Sequence, residues 1–147
     1  MQHPAVESEK LGEDSVLICY EPSTHSPAQP WNSRVSKTLL IRSEFLNHYG
    51  TLFGGYMMQW ADDMAYNAAS LAFPDAHFVT KLFGQFDFTT PVRSGDIIKI
   101  FSEVERVGTT SCQIKVWAVN ARTEEDVFRT FAVMVNVRDG SATAIRG

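Results

Sequence analysis

The stretch Asn47-His48-Tyr49-Gly50-Thr51-Leu52-Phe53-Gly54-Gly55 runs into a segment that carries Asp62-Asp63. A glycine pair at the start of a helix leaves backbone N–H groups unpaired, and such donors suit an oxyanion or a polarised carbonyl. Glycine also lets another molecule come close to the backbone. The same pair equally suits a tight loop packed on a sheet, and spacing alone leaves both readings standing. The two aspartates fall mid-helix, where Asp has poor propensity. Asp63 shares its helical face with Gln59, Asn67 and Ser70, a polar stripe for solvent or an interface. Asp62 shares its face with Met58, Ala65 and Ala69, which are small or apolar. A carboxylate there is unfavourable to bury unless it is paired or used, the alternative being a surface aspartate flanked by chance. Of the two, Asp62 is the candidate acid–base group.

Other polar residues carry less. His48 beside the loop is either a base or a partner of the turn. His3, His25 and His77 share no ligand spacing with one another or with Cys19 and Cys112, so no metal site is expected. Cys112 alternates inward on a strand and reads as core. Ser36, Ser43 and Ser111 lack a nucleophile elbow. Gly54-Gly55 lacks the lysine and spacing of a phosphate loop. Trp60, Met57 and Met64, at helical spacing, read as core or interface.

The elements that must hold these groups follow from periodicity. Residues 1–34 are polar and interrupted by Pro4, Pro22, Pro27 and Pro30, and read as an extension, with Val16–Tyr20 as a short docked strand. Residues 35–147 form the domain. Lys37–Arg42 reads as a strand, Ser43–Gly55 as a loop, and Tyr56–Ala72 as one helix with five alanines and no interior Gly or Pro, stopped by Pro74. Strand-like runs follow. Phe78–Thr89 puts Phe78, Leu82, Phe86 and Phe88 on one face. Ile97–Val107 lies between Ser94-Gly95-Asp96 and Gly108. Thr110–Ala121 puts Cys112, Ile114, Val116 and Ala118 on one side. Val127–Val137 does so with Val127, Phe131, Val133, Val135 and Val137. Short turns make the last three antiparallel neighbours. The outcome is an α+β layout, a long helix wrapped by an antiparallel sheet.

Composition sets the outer limits. The 147 residues suit one domain, and 13 basic against 17 acidic residues give a net charge of −4. With no Lys/Arg run, nucleic acid is not an expected partner. No apolar stretch approaches ~18 residues, so no membrane span is expected. Two lone cysteines and an N-terminus without a basic or apolar leader region fit a cytoplasmic location.

Taken together, Asn47-x-x-Gly50-x-x-Phe53-Gly54-Gly55, the helix with Asp62, Phe88-x-x-Pro91-Val92-x-x-Gly95-Asp96 and Val107-Gly108-Thr109-Thr110-Ser111 resemble the hotdog-fold acyl-CoA thioesterases over roughly residues 36–138. The resemblance implies hydrolysis of an acyl-CoA to free acid and CoA, with CoA as part of the substrate and no separate cofactor. By position it makes Asp62 the general base or nucleophile. Asn47 becomes the loop amide that places water or carbonyl, and Gly54 or Gly55 the N–H that polarises the carbonyl. Arg93, Lys81 and the turn of Gly108, Thr109 and Thr110 are candidates for contacts to CoA. Thr51 stands where close relatives are often acidic, Asp63 is an additional aspartate, and Tyr66 stands at a variable place, so the acyl preference stays open. Two rival readings share the fold: a dehydratase or hydratase acting on acyl thioesters, and a non-catalytic acyl-CoA-binding dimer. The first needs a His-carboxylate pair, and the His-Phe-Pro-Gly motif is absent.

Distance along the helix adds a constraint of its own. Asp62 lies eight residues beyond Gly54, roughly 12 Å at 1.5 Å per residue. One aspartate side chain does not bridge that span, so both groups meet at one thioester only if they come from different chains. An obligate two-fold homodimer with two shared sites is expected, assembled further into tetramers or hexamers as the resemblance implies.

Overall fold

The computed structural model describes residues 17–22 and 33–145, with side chains from Arg34 onward. The rest of the expected N-terminal extension, His3 and His25 included, lies outside the described residues. The elements are β1 (Leu17–Pro22), β2 (Ser33–Leu40), a 3-10 turn (Ser43–Phe45), α1 (Gly54–Ala72), β3 (Phe78–Phe83), β4 (Asp87–Phe88), β5 (Ile97–Val107), β6 (Ser111–Asn120), β7 (Asp126–Arg138) and β8 (Ser141–Ala142). All strand pairings are antiparallel in the order β1-β2-β5-β6-β7-β3, with β4 and β8 also on β7. β1 thus joins the sheet through β2, and the expected boundary at residues 34/35 falls inside β2.

The helix buries Met57, Trp60, Ala61, Met64, Ala65, Ala68 and Ala69 against the sheet. Its alanines bring the strands near the helix axis. The facing residues Ile98, Ile100, Ile114, Val116, Ala118, Ala132 and Met134 are all buried. One buried polar tether crosses this interface: the Ser102 hydroxyl on β5 donates to the Met64 carbonyl at 2.8 Å. It fixes the helix against the sheet just beyond Asp62. Phe45, Tyr56 and Trp60 form an aromatic cluster that holds the loop before α1 to the helix.

Two strands depart from the expected pattern. Phe78–Thr89 is not continuous: β3 ends at Phe83 and β4 resumes at Asp87. Gly84 lies at the break, packed tightly on β7. Its N–H bonds the Phe131 carbonyl at 2.8 Å, and a Cβ there would lie 2.0 Å from the Phe131 ring. A register shift between Thr80 and Leu82 also changes which side chains face inward. Phe78 is therefore buried while Leu82 and Phe88 are exposed. In β7 the buried series is Val127, Phe128, Thr130, Ala132, Met134 and Asn136, whereas Phe131, Val133, Val135 and Val137 are half-buried. A bulge opposite Ala118/Val119 buries both Val127 and Phe128 and inverts the alternation beyond them.

Candidate active site

Asp62 is half-buried, at the border between the buried Ala61–Ala65 side of the helix and an exposed side carrying Met58, Asp63 and Tyr66. Its Oδ1 accepts a 2.6 Å hydrogen bond from the Thr80 hydroxyl on β3. That bond is short and charge-assisted, and fixes the carboxylate's orientation. The pair lines a cleft of about 440 Å³ with Tyr66, Asn67, Phe78 and Met134. The expected apolar surroundings are met on one side only, since Ala65 is buried and Met58 is 47% exposed. Thr80 escaped the sequence reading. The sequence carried little signal for it: a hydroxyl in step with Phe78 along β3, itself exposed to solvent.

The glycine pair sits in a different cleft. Phe53 caps α1 without a side-chain hydrogen bond, and the Gly54 and Gly55 N–H groups have no acceptor among the described residues. They are the orphan donors of a helix start, carrying its positive dipole end. Gly54 lines a cleft of about 270 Å³ with Thr51, Met57, Phe88, Thr90 and Val92. A Cβ on Gly54 would meet nothing within 4 Å, whereas one on Gly55 would come within 2.4 Å of the Phe53 ring. Close packing inside the chain thus accounts for Gly55 and not for Gly54.

Asn47 braces Thr51, a residue that lines this second cleft. Its Oδ1 accepts from the Tyr49 and Thr51 N–H groups at 2.9 and 3.2 Å and from the Thr51 hydroxyl at 3.3 Å. Its backbone pairs with Thr51 and Gly50, and Gly50 takes the positive φ of 81° that the turn requires. The carbonyl side of the amide is occupied by the loop, while the Nδ2 donor has no acceptor among the described residues. Arg93 joins the same region through a bridge to Thr51.

One chain does not bring all the candidates together. Asp62 and Gly54 line separate clefts on one helix. Arg93 precedes β5 and the Gly108–Thr110 turn follows it, roughly 33 Å away along an eleven-residue strand. The turn's backbone serves the fold: Gly108 N–H bonds Ser111, and the Thr109 and Thr110 carbonyls accept from Ile145 and Asn136. His48 stacks on Tyr49 at 4.0 Å on the exposed loop and lines neither cleft. Cys112 is buried in the core, where burial pushes its thiol pKa up to about 12. Among the described residues no helix is long and apolar enough to cross a membrane.

Comparison with known proteins bears on this arrangement. An uncharacterised acyl-CoA thioester hydrolase of Bacillus subtilis, YkhA, is 33% identical over 84 residues, which cover 57% of this chain and 48% of that protein. The chain therefore matches about half the length of that curated relative. An acyl-CoA hydrolase from Staphylococcus aureus, solved with butyryl coenzyme A and coenzyme A, superposes with a TM-score of 0.71 at 25% identity, over 78% of this chain and 70% of that one. Zebrafish thioesterase superfamily member 2 superposes with a TM-score of 0.71 at 17% identity, over 83% and 81% of the two chains. The single helix in a curled antiparallel sheet is the hotdog fold of these structures. The thioesterase superfamily model matches residues 49–127, from the Asn47 loop through α1 and into β7. Because that match takes in more than half of the chain, with Gly54, Asp62 and Thr80 inside it, the chain belongs to the thioesterase superfamily.

Proposed function

We propose that this protein hydrolyses acyl-CoA thioesters to a free acid and CoA, in sites that two copies of the chain build jointly. The observation that carries the reading is the division of the machinery in one chain: a carboxylate fixed by Thr80 in one cleft, and unpaired N–H groups at Gly54 in another. Two antiparallel α1 helices would set Asp62 of one copy opposite Gly54 of the other. The side chains around Asp62 suit such a contact, since Met58, Tyr66, Val79 and Leu82 are exposed although apolar or aromatic. β3 ends the sheet order, so its outer edge has no strand beside it among the described residues. The open space over Gly54 is then the space an acyl carbonyl needs. The Staphylococcus aureus relative, solved with butyryl coenzyme A, supports the substrate class.

The chemistry follows from these groups. With Oδ1 held by Thr80, Oδ2 of Asp62 takes a proton from water as the water oxygen attacks the thioester carbon. The developing oxyanion is met by N–H groups at the start of the other copy's helix. Collapse of the tetrahedral intermediate breaks the C–S bond, and the proton on Asp62 passes to the leaving sulfur. Asn47, through its free Nδ2, orients the carbonyl or the water. No observation favours a dehydratase, because the His48 ring lines neither cleft. Free-thiol release from a panel of acyl-CoAs tests the reaction. Mixing tests the shared site: Asp62→Ala and Asn47→Ala chains, each inactive, should regain up to about a quarter of native activity after subunit exchange. Verified exchange without recovery would refute the shared site.

A further inference from the structure

We propose that Ser102 is a positioning residue for the reaction: by holding the Met64 carbonyl, its hydroxyl fixes the roll and height of α1 and so keeps Asp62 within hydrogen-bond reach of Thr80; this rests on the acyl-CoA hydrolase reading above. Ser102 is fully buried on the helix-facing side of β5, in an apolar row with Ile98, Ile100 and Val104. Across the sheet its neighbours in register are Val35 and Val116. A hydroxyl in such a place is unfavourable unless it is paired. Its described partner is the Met64 carbonyl, at 2.8 Å. That carbonyl lies inside α1, where the Ala68 N–H four residues on already bonds it. The helix closes its own ladder without Ser102. What the serine adds is a directional link between helix and sheet.

The rest of this interface specifies direction weakly. α1 presents Ala61, Ala65, Ala68 and Ala69 together with Met57 and Met64. Methyl groups make shallow ridges, and methionine adapts to its surroundings. A small roll of the helix changes such contacts little, whereas the carboxylate is sensitive to it. Two described side-chain hydrogen bonds join α1 to strands: Ser102 to Met64 from β5, and Thr80 to Asp62 from β3. Asp62 and Met64 are two residues apart, about 200° around the helix and about 3 Å along it. The two strands stand three places apart in the sheet order, so they grip the helix from nearly opposite sides at nearly one height. Side-chain atoms lie about 5–6 Å from a helix axis, so a roll of about 10° moves the carboxylate by about 1 Å. Added to the 2.6 Å between Thr80 and Asp62, a shift of that size ends the hydrogen bond. Ser102 itself lines neither cleft, so its effect on turnover passes through Asp62.

The test uses the full chain. Ser102→Ala is expected to fold with a Tm lower by roughly 1–5 °C, and to lower kcat for acyl-CoA hydrolysis about 3- to 10-fold with little change in KM. Should the alanine variant fail to fold, Ser102→Cys, of similar size and with a weak donor, is read in the same way. In a Thr80→Val background the same change should lower kcat by less than about twofold, because the bond it protects is already gone. Ile114→Val, a buried change of similar effect on stability, should leave kcat within about twofold of native. A crystal structure of Ser102→Ala should show the Thr80–Asp62 pair opened beyond about 3.2 Å. A kcat within about twofold of native in Ser102→Ala would overturn the inference. So would losses that multiply in the double variant, an equal loss in Ile114→Val, or a Thr80–Asp62 pair of native length. Each of those results leaves the hydrolase reading intact. A native protein that releases no thiol from any acyl-CoA would overturn that reading and with it the role in turnover, while the crystal distance would still decide whether Ser102 places Asp62.

Discussion

Gly54→Ala is expected to separate stability from activity, because the chain itself leaves the space over Gly54 open. In the folded chain the added methyl meets nothing within 4 Å, and Gly54 has an ordinary helical backbone at the first position of α1. Replacing glycine by alanine at a compatible helical site adds about 0.4–1 kcal/mol, mostly by restricting the unfolded chain. For a chain of 147 residues that corresponds to a Tm unchanged or raised by about 1–4 °C. On the proposed reading, the same methyl projects into the space that the carbonyl oxygen would take. Loss of one oxyanion donor lowers kcat by about 10²–10³-fold, and displacing the carbonyl from its donor has that magnitude. Gly55→Ala is the control with the opposite structural outcome. Its Cβ falls 2.4 Å from a Phe53 ring that is 52% exposed and free to swing aside, so the ring must move, the glycine-to-alanine gain is offset, and stability stays within about 1 kcal/mol of native. Thermal unfolding with free-thiol release on both variants reads the two effects. A Gly54→Ala protein with kcat/KM within about threefold of native would refute the oxyanion assignment.

The remaining expectations follow from single contacts. Asp62→Asn should keep the fold and lower kcat by at least ~10²-fold, and Thr80→Val should lower it roughly 10-fold through loss of the bond that fixes the carboxylate; circular dichroism with steady-state kinetics checks both. Gly84→Ala places a methyl 2.0 Å from the Phe131 ring, and overpacking of this kind lowers stability by about 1–3 kcal/mol, visible as a Tm lower by roughly 3–10 °C. The Cys112 thiol, pushed up to about 12 from 9.0 by burial, should resist alkylation at pH 8 until the chain unfolds, as peptide mass spectrometry would show. The sign with pH follows from the same shift. Below pH 9 both folded and unfolded chains keep the proton, and between 9 and 12 only the folded chain does, so stability from this group falls as pH rises through that window.

The elements bounded by turn chemistry were legible in the sequence. β5 begins and ends where Gly95-Asp96 and Gly108 place it, and Pro74 follows the helix end at Ala72. The helix begins two residues before its periodic pattern, since glycines add no apolar signal yet are tolerated in a first turn. Bulges were invisible, because a one-residue insertion in a ladder leaves no mark in a run of valines and phenylalanines. That is why the buried face of β7 and the break before β4 differ from expectation. At the site, the Asn47–Gly54 spacing and the isolation of Asp62 from it follow from local chain geometry. The hydroxyl that holds Asp62 comes from Thr80, eighteen residues away, and only tertiary pairing of helix and strand reveals it.

The outer edge of β3 has a cost while it stays uncovered. A strand that ends a sheet offers a row of unmatched backbone donors and acceptors to any extended polypeptide nearby, and Val79 and Leu82 make this one greasy as well. Lys81, exposed between them, is the single charge interrupting the ribbon. A newly synthesised chain is thus vulnerable to sticking wrongly while that edge is bare, and removing the lysine charge should make such sticking faster.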